Sequence, residues 1–307
     1  MISVVIPVFN EKESVGILHA ELVSVLKSIG DGFEIIFVDD GSTDGTILAL
    51  RNLTPVHVIS FARNFGKSQA LQAGFHVAQG DYIFTMDGDL QDDPKEIPSF
   101  LKKAGQGEFD LICGWKQNRL DSRSKRAVSK VANSITSLFT GTKVHDMNCG
   151  FKLYRKEVVK ALDFYGDMHR YIPALVAALG FRIAEVPVHH RQRSFGVSKY
   201  GNFRRLSKSF FDLVTLLLLR RFVDRPMHFF GIIGTISSFA GMLILVYLTY
   251  IKVFNDIVIG SRPLLLLGVL LVVVGIQLFS SGFLGELLIR QNTHKKIYTV
   301  REEVEHI

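Results

Sequence analysis

Residues 2–44 read ISVVIPVFNEKESVGILHAELVSVLKSIGDGFEIIFVDDGSTD. Two short apolar runs, residues 2–7 and 34–38, flank a stretch of helical periodicity over residues 14–28. Runs this rich in Val, Ile and Phe suit strands covered on both faces, so the segment reads as strand, helix, parallel strand. The pattern continues outward from it. Residues 56–61 (VHVISF) and 82–86 (YIFTM) read as two more buried strands, residues 43–53 and 67–79 as helices, and residues 109–113 as a fifth strand. Such alternation predicts an α/β fold, a Rossmann-like and mainly parallel sheet, with its ligand site at the carboxyl ends of the strands.

Four polar loops fall at that edge. They are Pro7-Val8-Phe9-Asn10-Glu11, Asp39-Asp40-Gly41-Ser42-Thr43-Asp44-Gly45, Arg63-Asn64-Phe65-Gly66-Lys67 and Asp87-Gly88-Asp89-Leu90-Gln91. No G-x-G-x-x-G and no G-x-x-x-x-G-K-S/T occurs, so neither a dinucleotide fingerprint nor a P-loop is expected. Asp87 and Asp89 instead form an Asp-x-Asp pair after an apolar strand. Alternate residues of an extended chain share a side, the geometry that chelates one hard divalent cation bridging a diphosphate. Asp39 and Asp40 are also good turn and N-cap chemistry, and Asp92 and Asp93 before Pro94 read as helix-capping acids. For Arg63, Asn64 and Lys67, a solvated helix start and a place in the site both stand.

The chain has 307 residues, 36 Lys+Arg against 29 Asp+Glu and 48% hydrophobic residues, with mean hydropathy +0.24. This excludes disordered and fibrous classes and is too apolar for an ordinary soluble enzyme of this length. The excess lies at one end: residues 229–289 hold only Lys252, Asp256, Arg262 and Glu286 as charges. Two spans, about 229–251 and 264–288, are each long enough at about 1.5 Å per residue to cross a hydrocarbon core of roughly 30 Å. Arg220, Arg221 and Arg225 precede the first, and Arg290, Lys295 and Lys296 follow the second, so both termini are expected in the cytoplasm. Residues 1–7 show no signal-peptide pattern, and Cys113 and Cys149 imply no disulfide framework.

The layout expected is a cytosolic catalytic domain over 1–200, amphipathic juxtamembrane helices over 201–226, two transmembrane helices within 227–290 and a cytosolic tail over 291–307. Within the juxtamembrane part, residues 202–222 set Arg204, Arg205, Lys208, Arg220 and Arg221 around an apolar body, the composition of an interfacial helix.

Taken together, VVIPVFNE, VDDGSTDGT, RNFGKSQAL, MDGDLQDDP and DMNCGFKLYR strongly resemble the inverting family 2 glycosyltransferases of GT-A fold, in particular the membrane-anchored polyprenyl-phosphate glycosyltransferases akin to dolichol-phosphate mannose synthase. The resemblance covers residues 1–200, and the two-span tail matches the bacterial-type branch. It implies transfer of a hexose, first of all glucose from UDP-glucose, to a polyprenyl phosphate at the cytoplasmic membrane face. Transfer from GDP-mannose and a protein- or polysaccharide-directed activity are the alternatives, although the Gln-x-x-Arg-Trp signature of polymer synthases is missing. An inactive sensor or scaffold is a third reading, which the intact set Asp87, Asp89 and Asp146 disfavours. No nucleic-acid partner is implied.

By the same resemblance Pro7, Phe9 and Glu11 line the nucleoside pocket, with Asp39 and Asp40 on the base or ribose. Asp87, Asp89 and Gln91 hold Mg2+ or Mn2+, with Asp87 and Gly88 also against the donor. Lys116 stands where the family commonly has Arg, so a point charge replaces a planar fork at the donor phosphates. Arg193 and Lys199, in the Arg193-Ser194-Phe195-Gly196-Val197-Ser198-Lys199 loop, reach the diphosphate. In the basic run from Arg119 to Arg126, Arg123 and Arg126 would take the acceptor phosphate, a general attraction to anionic lipid being the other reading. Asp146 occupies the catalytic-base position. A phosphate monoester, with a second pKa of about 6, is already mostly a dianion near neutrality, so Asp146 is expected to position the acceptor more than to deprotonate it. Finally, residues 295–303 are rich in strand-formers, and a lone strand is marginal alone. They are expected to dock on a cytosolic domain in a homo-oligomer, a tetramer being one option, or else to fray into solvent.

Overall fold

The computed structural model describes residues 1–116, 144–164, 166, 168–192, 226–255, 258–260 and 263–291. Residues up to 192 belong to one compact unit and residues 226–291 to another.

The first unit opens as the alternation predicts, with β1 (Ile2–Val8), α1 (Lys12–Ile29), β2 (Phe33–Asp39), α2 (Thr46–Arg51), β3 (His57–Ser60), α3 (Lys67–Val77) and β4 (Tyr82–Thr85). There follow α4 (Ile97–Ala104), β5 (Leu111–Lys116), β6 (Lys152–Arg155), α5 (Lys156–Ala161), α6 (Ile172–Ala178) and β7 (Ile183–Val188). The sheet runs β3-β2-β1-β4-β6-β5-β7. Every neighbouring pair is parallel except the two made by β6, which runs against β4 and β5. The expected helix over 43–53 starts only at Thr46, because Asp44 accepts from both the backbone N–H (3.0 Å) and the hydroxyl of Thr46 and keeps the preceding residues in a loop.

Burial explains the arrangement. β1 is buried along nearly its whole length, which a central parallel strand covered by helices requires. α1 buries Val15, Leu18, Leu22 and Leu26, spaced three or four apart on one face, and ends at Gly30 in the left-handed conformation (φ 84°). Phe100 from α4 packs on Phe84 of β4 (5.8 Å between ring centroids) and on Phe151 (4.6 Å). Phe151 stands immediately before β6. Its burial therefore seats the approach to β6 against the carboxyl end of β4, where Lys152 pairs with Thr85.

In the second unit a π-helical turn, Met227–Gly231, leads into α7 (Ile232–Asn255), and α8 (Pro263–Gln291) follows. Met227–Asn255 and Pro263–Leu288 are long and apolar enough to cross a membrane. The helices approach closely where both are glycine. A Cβ on Gly234 would lie 2.5 Å from the Gly275 carbonyl oxygen, and one on Gly241 2.6 Å from that of Gly268. Ser237 adds a hydrogen bond to the Leu271 carbonyl (2.9 Å). Large apolar side chains point outward, with Phe239 65% and Leu266 74% exposed. A helix of a water-soluble core would bury them, so the pair fits a transmembrane hairpin. The interfacial helix expected over 202–222 and the strand expected over 295–303 lie outside the described residues.

Candidate active site

The loops after β1 and β2 are tied together by their own polar groups. Asn10, at φ 55°, donates its backbone N–H to Ser42 Oγ (2.8 Å) and accepts at Oδ1 from Thr43 N–H (2.8 Å). Glu11 N–H donates to Thr46 Oγ1 (2.9 Å), and Glu11 Oε2 accepts from Ser14 (3.1 Å). Pro7, Phe9 and Glu11, expected at a nucleoside pocket, stand half-buried in this zipped corner.

Asp39 and Asp40 are buried beneath it. Asp39 accepts from Ser42 N–H (3.1 Å) and Ser60 Oγ (3.0 Å). Asp40 accepts from the backbone N–H groups of Phe65 (2.7 Å) and Gly66 (2.9 Å), drawing in the loop that follows β3. Burial raises the Asp40 pKa against these hydrogen bonds, which lower it. The pair thus builds the loops that surround the site, as its turn chemistry allows.

The Asp-x-Asp turn leaves β4 with Asp87 partly exposed and Asp89 buried. A Cβ on Gly88 would lie 2.6 Å from Val8 Cγ1, so the turn can press onto the end of β1 only without a side chain there. Leu90 follows at φ 63°, a conformation that few non-glycine residues hold. Gln91 donates its backbone N–H to Asp89 Oδ1 (3.2 Å), while its side-chain amide lies 3.4 Å from His190 Nε2.

Three lysines converge on this turn. Lys67, the first residue of α3, forms an ion pair with Asp87. Lys116, at the end of β5, reaches buried Asp92 Oδ1 at 2.9 Å, and Asp92 Oδ2 accepts from Asp87 N–H (3.3 Å). Buried Lys152 donates to the Cys149 carbonyl. Burial by itself would raise the Asp87 pKa, but Lys67, Lys116 and Lys152 outweigh it and hold the carboxyl well below the usual carboxylate range. The expectation that Asp92 caps a helix is overturned: it is the counter-ion of Lys116, buried because β5 ends beside it. Asp93 does cap the short helix Pro94–Glu96, accepting from Lys95 N–H (3.0 Å).

Because β6 runs backwards, the segment before it arrives at this same edge. A Cβ on Gly150 would stand 2.6 Å from Asp87 Oδ1, so the backbone of the approach segment lies directly against the carboxylate. Asp146 is buried there. Glu185 of β7 accepts from the backbone N–H groups of His145 (2.8 Å) and Asp146 (3.2 Å), and its other oxygen lies 2.7 Å from His145 Nδ1. The His145 ring stacks on Trp115 at 4.2 Å. After β7, Arg191 bridges Asp93 (2.6 Å) and Glu21 (2.7 Å), so the chain leading toward Arg193 is anchored beside the Asp-x-Asp turn. Arg123, Arg126, Arg193 and Lys199 lie outside the described residues.

A cavity of about 10 Å³, room for one water, is lined by Lys67, Asp87, Lys152 and His169 among others. Burial, then the charges of Lys67 and Arg170, push the His169 imidazole down to about 2, so it stays neutral, with Nδ1 at 2.9 Å from Ser68 Oγ. Glu185, Lys152, His169 and Arg191 escaped the sequence reading. The visible signals were a lysine and a glutamate inside apolar strands, Lys152-Leu-Tyr and Ile-Ala-Glu185-Val, where charge is costly without a partner.

The donor set suits a hard divalent ion in one way only. Among the described residues no three His, Cys, Asp or Glu side chains could enclose a metal, yet Asp87 and Asp89 offer two carboxylates two residues apart. Such a pair fits an ion that completes its shell with substrate phosphates and water.

Residues 3–163 match the model of the family described as Glycosyl transferase family 2. The chain is 40% identical over 297 residues to the dodecaprenyl-phosphate galacturonate synthase of Rhizobium johnstonii, covering 94% of this chain and 88% of that protein. Among solved structures it resembles glucosyl-3-phosphoglycerate synthase from Mycobacterium tuberculosis. The complex with Mn2+ and UDP-glucose gives a TM-score of 0.56 at 21% identity, covering 72% of this chain and 78% of the other. The complex with phosphoglyceric acid gives 0.56 at 22%, covering 72% and 79%. At that identity the likeness speaks for the fold, which is GT-A. With the family model covering more than half of the sequence and a relative aligned along nearly all of it, the chain belongs to glycosyl transferase family 2.

Proposed function

We propose that the protein transfers a sugar, with inversion, from a nucleoside diphosphate donor to a polyprenyl phosphate at the cytoplasmic face of a membrane. The observation that carries this reading is the alignment along 94% of the chain with a dodecaprenyl-phosphate galacturonate synthase. That relative moves galacturonate ahead of the glucose expected from the motifs, so UDP-galacturonate is the first donor and UDP-glucose the second. The solved structures with UDP-glucose are too distant to decide between them.

Asp87 and Asp89, with Gln91 beside them, would hold Mg2+ or Mn2+. The ion would neutralise charge on the diphosphate as it leaves. The β1 and β2 loops, with Pro7, Phe9, Glu11, Asp39 and Asp40, shape the nucleoside side, and Lys116 adds positive charge from beneath the turn. The acceptor phosphate oxygen attacks the anomeric carbon on the face opposite the nucleotide, and buried Asp146 orients it there. Arg123 and Arg126 pair with the acceptor phosphate, and Arg193 and Lys199 with the donor. The two-span hairpin anchors the chain in the membrane that carries the lipid acceptor, and the tail holds the subunits of an oligomer together.

The test is a donor panel. Full-length protein in detergent, given polyprenyl phosphate with Mg2+ or Mn2+, is offered UDP-galacturonate, UDP-glucose and GDP-mannose in parallel, and the lipid product is resolved by mass. A lipid-linked hexuronate from the first alone supports the reading. Product with none of them, or transfer to water or protein in place of lipid, refutes it.

A further inference from the structure

We propose that Lys67 keeps the place of the divalent cation: its ammonium occupies Asp87 in the nucleotide-free protein and makes cation binding depend on arrival of the donor diphosphate. The inference rests on the cation reading above and adds a coupling that this reading does not contain.

The argument begins with charge. Around the turn stand three carboxylates, Asp87, Asp89 and Asp92, and three ammonium groups, Lys67, Lys116 and Lys152. The cluster is therefore balanced without any ion. Adding a divalent cation alone leaves two uncompensated positive charges in a largely buried setting, which is unfavourable. A diphosphate arriving with the ion brings the missing negative charge.

Geometry then selects the group that gives way. Lys116 is 12% exposed and held by Asp92, and Lys152 is 3% exposed and held by the Cys149 carbonyl. Lys67 projects from the first turn of α3 with its side chain 32% exposed, so of the three it alone has an open path away. Asp87 cannot withdraw toward the β6 approach, because the backbone at Gly150 lies against its carboxylate. An incoming cation at Asp87 therefore meets the ammonium paired with Oδ1. Once displaced, the ammonium stands within side-chain reach of the diphosphate that displaced it, and an interaction lost at Asp87 is regained there.

The experiment measures Mn2+ binding, not turnover. Full-length protein in detergent is titrated with Mn2+, free ion being read by electron paramagnetic resonance, without nucleotide and with saturating UDP or GDP. Wild type should bind weakly alone and tightly with nucleotide. Lys67→Gln and Lys67→Ala should tighten nucleotide-free binding by roughly tenfold or more, the effect of a unit charge about 5 Å from a divalent ion even at the dielectric of water. Lys67→Arg, which keeps the charge, should behave as wild type, and thermal melts establish that each variant is folded. Unchanged or weaker Mn2+ binding in folded Lys67→Gln and Lys67→Ala overturns the inference while the cation reading survives. No Mn2+ binding by wild type even with nucleotide overturns both.

Discussion

Glu185→Ala offers a test of how the segment carrying Asp146 is held. Glu185 contacts no reacting group in the proposed mechanism and acts through its neighbours, accepting the backbone N–H groups of His145 at 2.8 Å and Asp146 at 3.2 Å and facing His145 Nδ1 at 2.7 Å. Removing it breaks three contacts. At about 1 kcal/mol net for each hydrogen bond, and with water able to reach the exposed His145 side, the stability loss should be about 1–3 kcal/mol. Turnover should suffer more than stability. Releasing the approach to β6 lets Asp146 drift, and a displacement near 1 Å at a reacting group lowers the rate by about a hundredfold. Steady-state kinetics at saturating acceptor, beside a thermal melt, separate the two effects. The expected result is a kcat lowered about 10- to 100-fold with donor KM little changed. Glu185→Gln, which keeps an acceptor oxygen, should recover most of it, and His145→Ala, which leaves both backbone bonds, should cost little. A normal kcat in a destabilised Glu185→Ala protein would refute the positioning role, as would a donor KM that rises as far as kcat falls.

Asp89→Ala should abolish transfer while the melting profile of the protein persists, and activity of that variant in metal-free buffer would contradict the cation reading. Gly150→Ala should cut turnover sharply, since its Cβ would come within 2.6 Å of Asp87 Oδ1; wild-type turnover would show that the carboxylate has room to move. Stability should be greatest between about pH 6.5 and 9, because native His169 stays neutral down to about 2 while the unfolded imidazole takes a proton below its ordinary value of 6.5, and buried Cys113 and Cys149, pushed up by burial to about 12, keep protons that unfolded thiols lose above 9.0. Denaturant midpoints across pH check this, and a midpoint rising on either flank would refute it. Full-length protein should run as an oligomer in detergent by light scattering and truncation after Asn292 should release monomers; a monomeric full-length protein would refute the assembly, and an unchanged mass on truncation would remove the tail from the interface.

The strand and helix succession from Ile2 to Thr85 was legible because β1, β2 and β4 are largely buried and read as continuous apolar sequence, whereas β3, expected to be buried, lies at the sheet edge with His57 and Ser60 exposed. β6 was not. Lys152-Leu-Tyr-Arg155 carries two charges in four residues, and only its pairing between β4 and β5 makes it a strand. β7, with Glu185 and Pro187 in six residues, hid for the same reason. At the site, local spacing brought out the Asp-x-Asp turn, and the resemblance to the family singled out Asp146. What neither could bring out were contacts across the fold: Lys116 with Asp92, Lys67 with Asp87, and Glu185 with His145, forty residues apart in the chain.

The reversed strand has a consequence for how this enzyme can diversify. In an all-parallel sheet every segment reaching the active edge is a departing loop, whose far end lies at the opposite edge. Here the chain departs at Lys116 and returns at the approach to β6 on the same edge, each end moored to the Asp-x-Asp turn, by the Lys116–Asp92 pair at one end and by Gly150 against Asp87 at the other. The two ends of the connection from β5 to β6 thus both stand beside the Asp-x-Asp turn. Because the entropy of joining two fixed ends grows only slowly with the length of chain between them, that connection can change in length or composition at little cost to the sheet. Under the proposed mechanism, in which Arg123 and Arg126 meet the acceptor phosphate, exchanging this connection between relatives should change which lipid phosphate is used while leaving the nucleotide sugar the same.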